Sequence, residues 1–235
     1  MLPLGGDRFL TTNGNRRLSV FEWPPEKDKD WQPLPKEGQG EPLKPLEYLI
    51  AAPPVLLPAS EKQPPRIVVA DSSGLLRLFT VAQNGMLQPG AAWPFKGNLS
   101  AGPFVQAVPE GGWRIGCVLD RRRLLWIDPD KPQPLWTYST DGPAILGPPQ
   151  RIEDMLVLAL QSGRYVGIDP NTGQQKGPGY TLRTSAMPAA TPMPFGPNRM
   201  FAPLSDGTAL LLSVELLKKN IPGDNKENAD KKAQK

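Results

Sequence analysis

Histidine is absent from this chain, and cysteine occurs once, at Cys117. Those two absences exclude Ser-His-Asp and Cys-His catalytic arrangements, histidine-based metal sites, c-type haem attachment and any intrachain disulfide. Cys117 sits inside the apolar run Ile115–Leu119, where a lone thiol packs as a small hydrophobe, and no compartment can be read from it. No apolar run approaches the roughly 18 residues that a membrane-spanning helix needs. The first residues, Met-Leu-Pro-Leu-Gly-Gly-Asp-Arg, show neither the basic nor the apolar region of a signal peptide. No G-x-x-x-x-G-K-[ST] phosphate loop occurs. One-signed charge is scarce as well. The net charge is +4, but from Lys218 onward six lysines face Asp224, Glu227 and Asp230, so this tail carries +3 and the remaining 217 residues only +1. A body so close to neutral does not read as a nucleic-acid surface. Its one compact basic cluster, Arg121-Arg122-Arg123, reads as a solvated turn.

What the chain has in abundance is proline and glycine, 30 and 23 residues, placed between short apolar runs. The stretch 155–173 shows the pattern best. Met155–Leu160 is followed by a Ser162-Gly163 turn, a second run Tyr165–Ile168, and then Asp169-Pro-Asn-Thr-Gly173. Two runs flanking a glycine turn specify a β-hairpin, because tight hairpin turns require positive φ. Four looser copies are legible: Arg8–Thr12 with Leu18–Phe21, Arg66–Ala70 with Leu75–Phe79, Trp113–Leu119 with Leu124–Ile127, and Arg199–Leu204 with Ala209–Leu212. Their turn residues Asn15, Gly74, Arg122, Gly163 and Gly207 lie 59, 48, 41 and 44 residues apart. Each hairpin is preceded by a short proline-flagged apolar segment, and most are followed by a weaker fourth strand, clearest at Pro134–Tyr138 and Ala91–Phe95. A period of about 40 to 50 residues with several short strands per repeat is the signature of a β-propeller blade. The expected fold is therefore all-β, a propeller of four-stranded blades with about four to five blades over 1–217.

Two stretches break the period. Residues 24–46 are polar and rich in Pro, Lys and Glu, and are expected to form a surface insertion. Residues 218–235 are charged and poor in large apolar side chains, the composition of a disordered tail, with a short helical turn expected over 214–219.

Ile127-Asp128 followed by Trp136, eight residues after the Asp, resembles the repeat signature of quinoprotein-like (PQQ-type) propellers; Ile168-Asp169-Pro-Asn-Thr-Gly173 is similar to the same turn, with Gly177 at the Trp position. The resemblance spans about 1–213. It implies that Asp128 and Asp169 accept hydrogen bonds from their turns, that Gly173 supplies positive φ, and that Trp136 wedges between blades. These are structural roles. It also raises the activity of a quinone-dependent dehydrogenase holding Ca²⁺ on several oxygens. The carboxylates Asp71, Asp120, Asp154 and Asp206 stand singly in different repeats, the family's vicinal disulfide needs two cysteines, and its sugar-oxidising branch needs a histidine base. Hydrolysis by two carboxylates on facing loops stays open, though nothing in the sequence pairs them; the residues thus assign no catalytic, cofactor or metal site, and no cofactor.

The fifth repeat supplies three strands before the charged tail. On that count the chain is expected to be the C-terminal part of a larger propeller, completed by upstream blades or another chain, with closure on itself as a small irregular ring the alternative. Of six tryptophans, Trp93, Trp113, Trp126 and Trp136 lie on expected strands and suit inter-blade packing, whereas Trp23 and Trp31 flank or lie in the insertion and are the candidate partner contacts. The functional expectation is a non-catalytic repeat module for protein interaction, with no nucleic-acid ligand and no membrane insertion. The alternatives are a degenerate quinoprotein dehydrogenase and an envelope assembly scaffold, the latter periplasmic if an upstream region precedes Met1.

Overall fold

The computed structural model describes residues 1–13, 15–23, 30–60, 63–109 and 111–219. Nearly all its regular structure is antiparallel strand. β1 (Leu2–Gly5), β2 (Arg8–Asn13), β3 (Arg17–Glu22) and β4 (Gln32–Leu34) form the first sheet in that order. The second is β5 (Val55–Leu57), β6 (Arg66–Ala70), β7 (Leu75–Val81) and β8 (Leu87–Pro94). The third runs β9 (Leu99–Ala107), β10 (Trp113–Leu119), β11 (Arg123–Ile127) and β12 (Trp136–Ser139). The fourth contains β13 (Gln150–Ile152), β14 (Met155–Leu160), β15 (Arg164–Ile168) and β16 (Tyr180–Thr181). The fifth has three strands, β17 (Met193–Pro194), β18 (Arg199–Pro203) and β19 (Ala209–Ser213), followed by the single-turn helix α1 (Glu215–Lys218). Each sheet is a sequential meander, and its central hairpin turn carries a residue at positive φ. Gly74, Gly163 and Gly207 do so as glycines, whereas Asp120 and Arg121 take φ of 51° and 59° without one.

Packing divides the chain into two compact units, Met1–Asp120 with Leu124–Leu135, and Arg121–Arg123 with Trp136–Lys235. Within the first, strand alternation sorts each sheet into two faces. The cross-strand row Leu2–Leu10–Val20–Leu34 of the first sheet packs with Leu56, Ile67 and Phe79 on one face of the second. The opposite face of the second sheet, with Val55, Val68 and Leu78, packs with Ile115, Cys117, Leu125 and Ile127 from the third. Such face-to-face burial is the dominant favourable contribution to folding, about 25 cal/mol for each Å² of apolar surface removed from water. The second unit repeats the scheme. Met155, Val157 and Tyr165 of the fourth sheet pack with Met200, Ala202 and Leu212 of the fifth, and Leu217 of α1 joins that core.

β4 lies inside the polar stretch 24–46, where it supplies the first sheet's fourth strand. Its register pairs Pro33 with Phe21 and Leu34 with Val20, and Leu43 and Leu46 also pack on the core of that sheet. Apolar residues separated by Pro and Lys carry no strand period, so composition alone concealed them. Residues 24–29 and 220–235, the remainder of the insertion and most of the tail, lie outside the described residues.

Candidate functional site

The outer face of the first sheet carries an aromatic group built from three of its elements. Antiparallel register sets Phe9 opposite Phe21, and their rings stack at 5.7 Å with 13° between planes. Trp31, just ahead of β4, meets Phe9 edge-on at 4.7 Å and Trp23 at 5.4 Å. The backbone of Trp23 is fixed by its N–H donating to the Asp7 carbonyl at 2.6 Å. Phe9 is buried beneath this cover, yet Trp23 and Trp31 remain 52% and 43% exposed. The two tryptophans singled out from the sequence are therefore brought together on one surface. Phe9 and Phe21, which complete the group, were missed. The alternation of β2 and β3 across the turn at 13–15 was the available signal, since it puts both rings on the face opposite Leu10 and Val20.

The blade-turn residues also come together in pairs. Asp169 Oδ1 accepts from the Asn171 and Thr172 backbone N–H groups at 2.8 and 3.3 Å. Trp136 Nε1 donates to the Pro170 carbonyl at 3.0 Å, and its ring lies so close to Gly173 that a Cβ there would stand 2.6 Å from Trp136 Cδ2. Gly173 also has φ of 72°. In the first unit Asp128 Oδ1 accepts from the Asp130 N–H at 3.1 Å, and Trp93 donates from Nε1 to the Lys131 carbonyl at 2.8 Å. Trp93 thus does for the Asp128 turn what Trp136 does for the Asp169 turn. The sequence hid this correspondence, because no Asp stands eight residues before Trp93. At Gly177 the fourth sheet has no side chain, and a Cβ would meet the Leu217 carbonyl and Lys218 Cα at 2.7 Å. The backbone of α1 fills the place a tryptophan takes elsewhere.

The lone carboxylates are committed to their own surroundings. Asp71, 1% exposed, accepts from the Ser73 and Leu75 N–H groups, the Ser73 hydroxyl and Arg77 Nε. Burial pushes its pKa up, but the bonds from Ser73 and Arg77 outweigh that and hold it below the usual carboxylate value. Asp120 caps the Asn98 N–H at 2.8 Å, and Asp206 binds the Thr208 hydroxyl and N–H. Asp154 is held low chiefly by the hydrogen bond from Lys176, with Lys218 3.4 Å away. Among the described residues no group of three His, Cys, Asp or Glu could hold a metal ion. A quinone with Ca²⁺ needs several convergent, unpaired oxygens, and these residues do not fit that requirement.

No protein-family model matches the chain, and no curated protein matches it in sequence. Solved structures do match. The crystal structure of BamB from Moraxella catarrhalis, a β-propeller, superposes with a TM-score of 0.50 at 16% identity over 70% of this chain and 48% of that one. The fold is a β-propeller. The computationally designed protein Ika8 gives a TM-score of 0.57 at 13% identity over 93% of this chain and 58% of that one. The chain thus spans about half the length of the solved structures it matches, and at these identities the likeness concerns the fold.

Proposed function

We propose that this propeller chain is a non-catalytic module of quinoprotein-like repeats that binds protein through the aromatic patch of its first sheet. The observation that carries the reading is the pair of half-exposed indoles, Trp23 and Trp31, held over Phe9. Two large rings anchored by neighbours present apolar area to solvent with little side-chain entropy left to lose, which is the composition of a binding hot spot. The quinoprotein-like descent is supported by the Asp128 and Asp169 turns with Trp93 and Trp136 seated on them. The non-catalytic reading is supported by carboxylates already engaged with their own turns and with Arg77, Lys176 and Thr208.

The test is capture with a photoactivatable group at Trp31, followed by the Trp23→Ala/Trp31→Ala double variant. A specific partner should be captured, and truncating both rings should weaken its binding by more than about tenfold while the variant still unfolds in one cooperative transition. Retention of the same partner by the double variant would move the docking surface elsewhere. A quinone absorbance that appears on reconstitution with Ca²⁺ and supports dye reduction would replace the module reading with an enzyme.

A further inference from the structure

Among the described residues, the fifth sheet carries a second uncovered apolar face, distinct from the aromatic patch. Register aligns Met193 with Phe201 and Phe201 with Leu211, one residue from each of its three strands. The alternate residues Met200, Ala202 and Leu212 point into the core shared with the fourth sheet. The aligned row points away from that core, with Met193, Phe201 and Leu211 exposed by 52%, 37% and 48%. A continuous apolar row on a sheet face marks an interaction surface more often than a chance of composition.

The interior of the first unit shows what covers such a row. Both faces of the second sheet carry aligned apolar rows, and each is buried by the face of another antiparallel sheet. The solved structures that match this chain extend well beyond its length. The occupant that suits the fifth sheet is therefore another blade face bearing an exposed row. This chain itself possesses one, the aromatic patch of the first sheet, where Trp23 and Trp31 are exposed and Trp31 lies on the stacked Phe9 and Phe21 rings. The chemistry is complementary, because a flexible Met and Leu with one Phe pack readily against flat aromatic rings, and a thioether gains from an aromatic edge.

We infer that the Met193–Phe201–Leu211 face docks the first-sheet face of a second copy of this chain. The pairing rests on the reading of the chain as a protein-interaction module and names its partner. The contact is head-to-tail, with different surfaces on the two copies, so each copy uses both faces and the assembly either closes or grows. With only +1 of net charge outside the tail, the body offers little repulsion against self-association.

Analytical ultracentrifugation of the purified full chain over a range of concentrations tests it. Dimers or larger species should appear, and Leu211→Lys and Trp31→Glu should each raise the dissociation constant by more than about tenfold. Mixing the two variants should restore a one-to-one complex that grows no further, because each retains the face the other lacks. Oxidation of Met193 in the unaltered chain should slow as concentration rises, a readout that needs no variant to fold. A wild-type chain that stays monomeric, a mixture that fails to pair, or Met193 oxidation independent of concentration would each overturn the inference. A monomeric chain that still captures a different protein through Trp31 would leave the module reading standing while removing this one.

Discussion

Tyr165 is fully buried, its hydroxyl finds no hydrogen-bond partner, and burial pushes its pKa up to about 12. An unpaired buried hydroxyl costs free energy that phenylalanine would not, so Tyr165→Phe should stabilise the protein by about 1 kcal/mol, measurable as a higher urea midpoint with unchanged slope. Asp71 behaves in the opposite sense. Its pKa is lowered on folding, so its contribution is present above about pH 4, the unfolded value, and is lost as pH falls through the lower folded value. Asp71→Asn leaves Arg77 without its carboxylate and should cost about 2–3 kcal/mol at neutral pH. The difference between wild type and variant should then shrink on acidification in parallel urea titrations. Cys117 is buried with its thiol pushed up to about 12. Its reaction with a thiol reagent should therefore track unfolding, and modification at a rate set by reagent alone would contradict its burial. Residue roles were legible where a side chain acts on its own neighbours, as Asp169 does. They were not legible where the partner is remote in sequence: Trp93 lies 38 residues from the carbonyl it binds.

At the scale of the element, the hairpins were readable because turn chemistry and alternation are local. The turn between β10 and β11 works without glycine, and Arg121 takes a φ of 59° that an L-residue adopts at a cost. Arg121→Gly should stabilise the protein by about 0.5–1 kcal/mol, seen as a raised thermal midpoint; a loss would mean that the arginine side chain contributes more than its backbone strain costs. Gly173→Ala should act in reverse, because it combines a φ of 72° with a ring 2.6 Å from the new Cβ. A cost of about 2–4 kcal/mol is expected, partly relieved by Trp136→Phe, which a double-mutant cycle would measure. The strand that sequence patterning concealed, β4, is three residues long and includes Pro33. It exists because Leu34 reaches the core beside Val20. Tertiary burial decides so short an edge strand, and no window of sequence contains that information.

For the whole molecule, repeat period and turn spacing were enough to indicate a propeller, since every sheet is contiguous in sequence. Which apolar rows lie uncovered was not legible. Phe201 and Met200 are neighbours in β18 with similar hydropathy, and only packing assigns one to solvent and the other to the core. Association through such faces is apolar, so it should persist or strengthen in sulfate and lose little between low and physiological salt, checked by sedimentation in each buffer. The seating of Trp93 and Trp136 on the turns at Lys131 and Pro170 also bears on how such a chain lengthens. A duplicated second or third sheet brings its own tryptophan to latch onto whatever turn comes next. The fourth sheet has no such latch at Gly177, against which the backbone of α1 lies. Gene duplication can therefore lengthen this array ahead of the fourth sheet at little structural cost, whereas a repeat inserted after it would have to displace the helix and supply the indole.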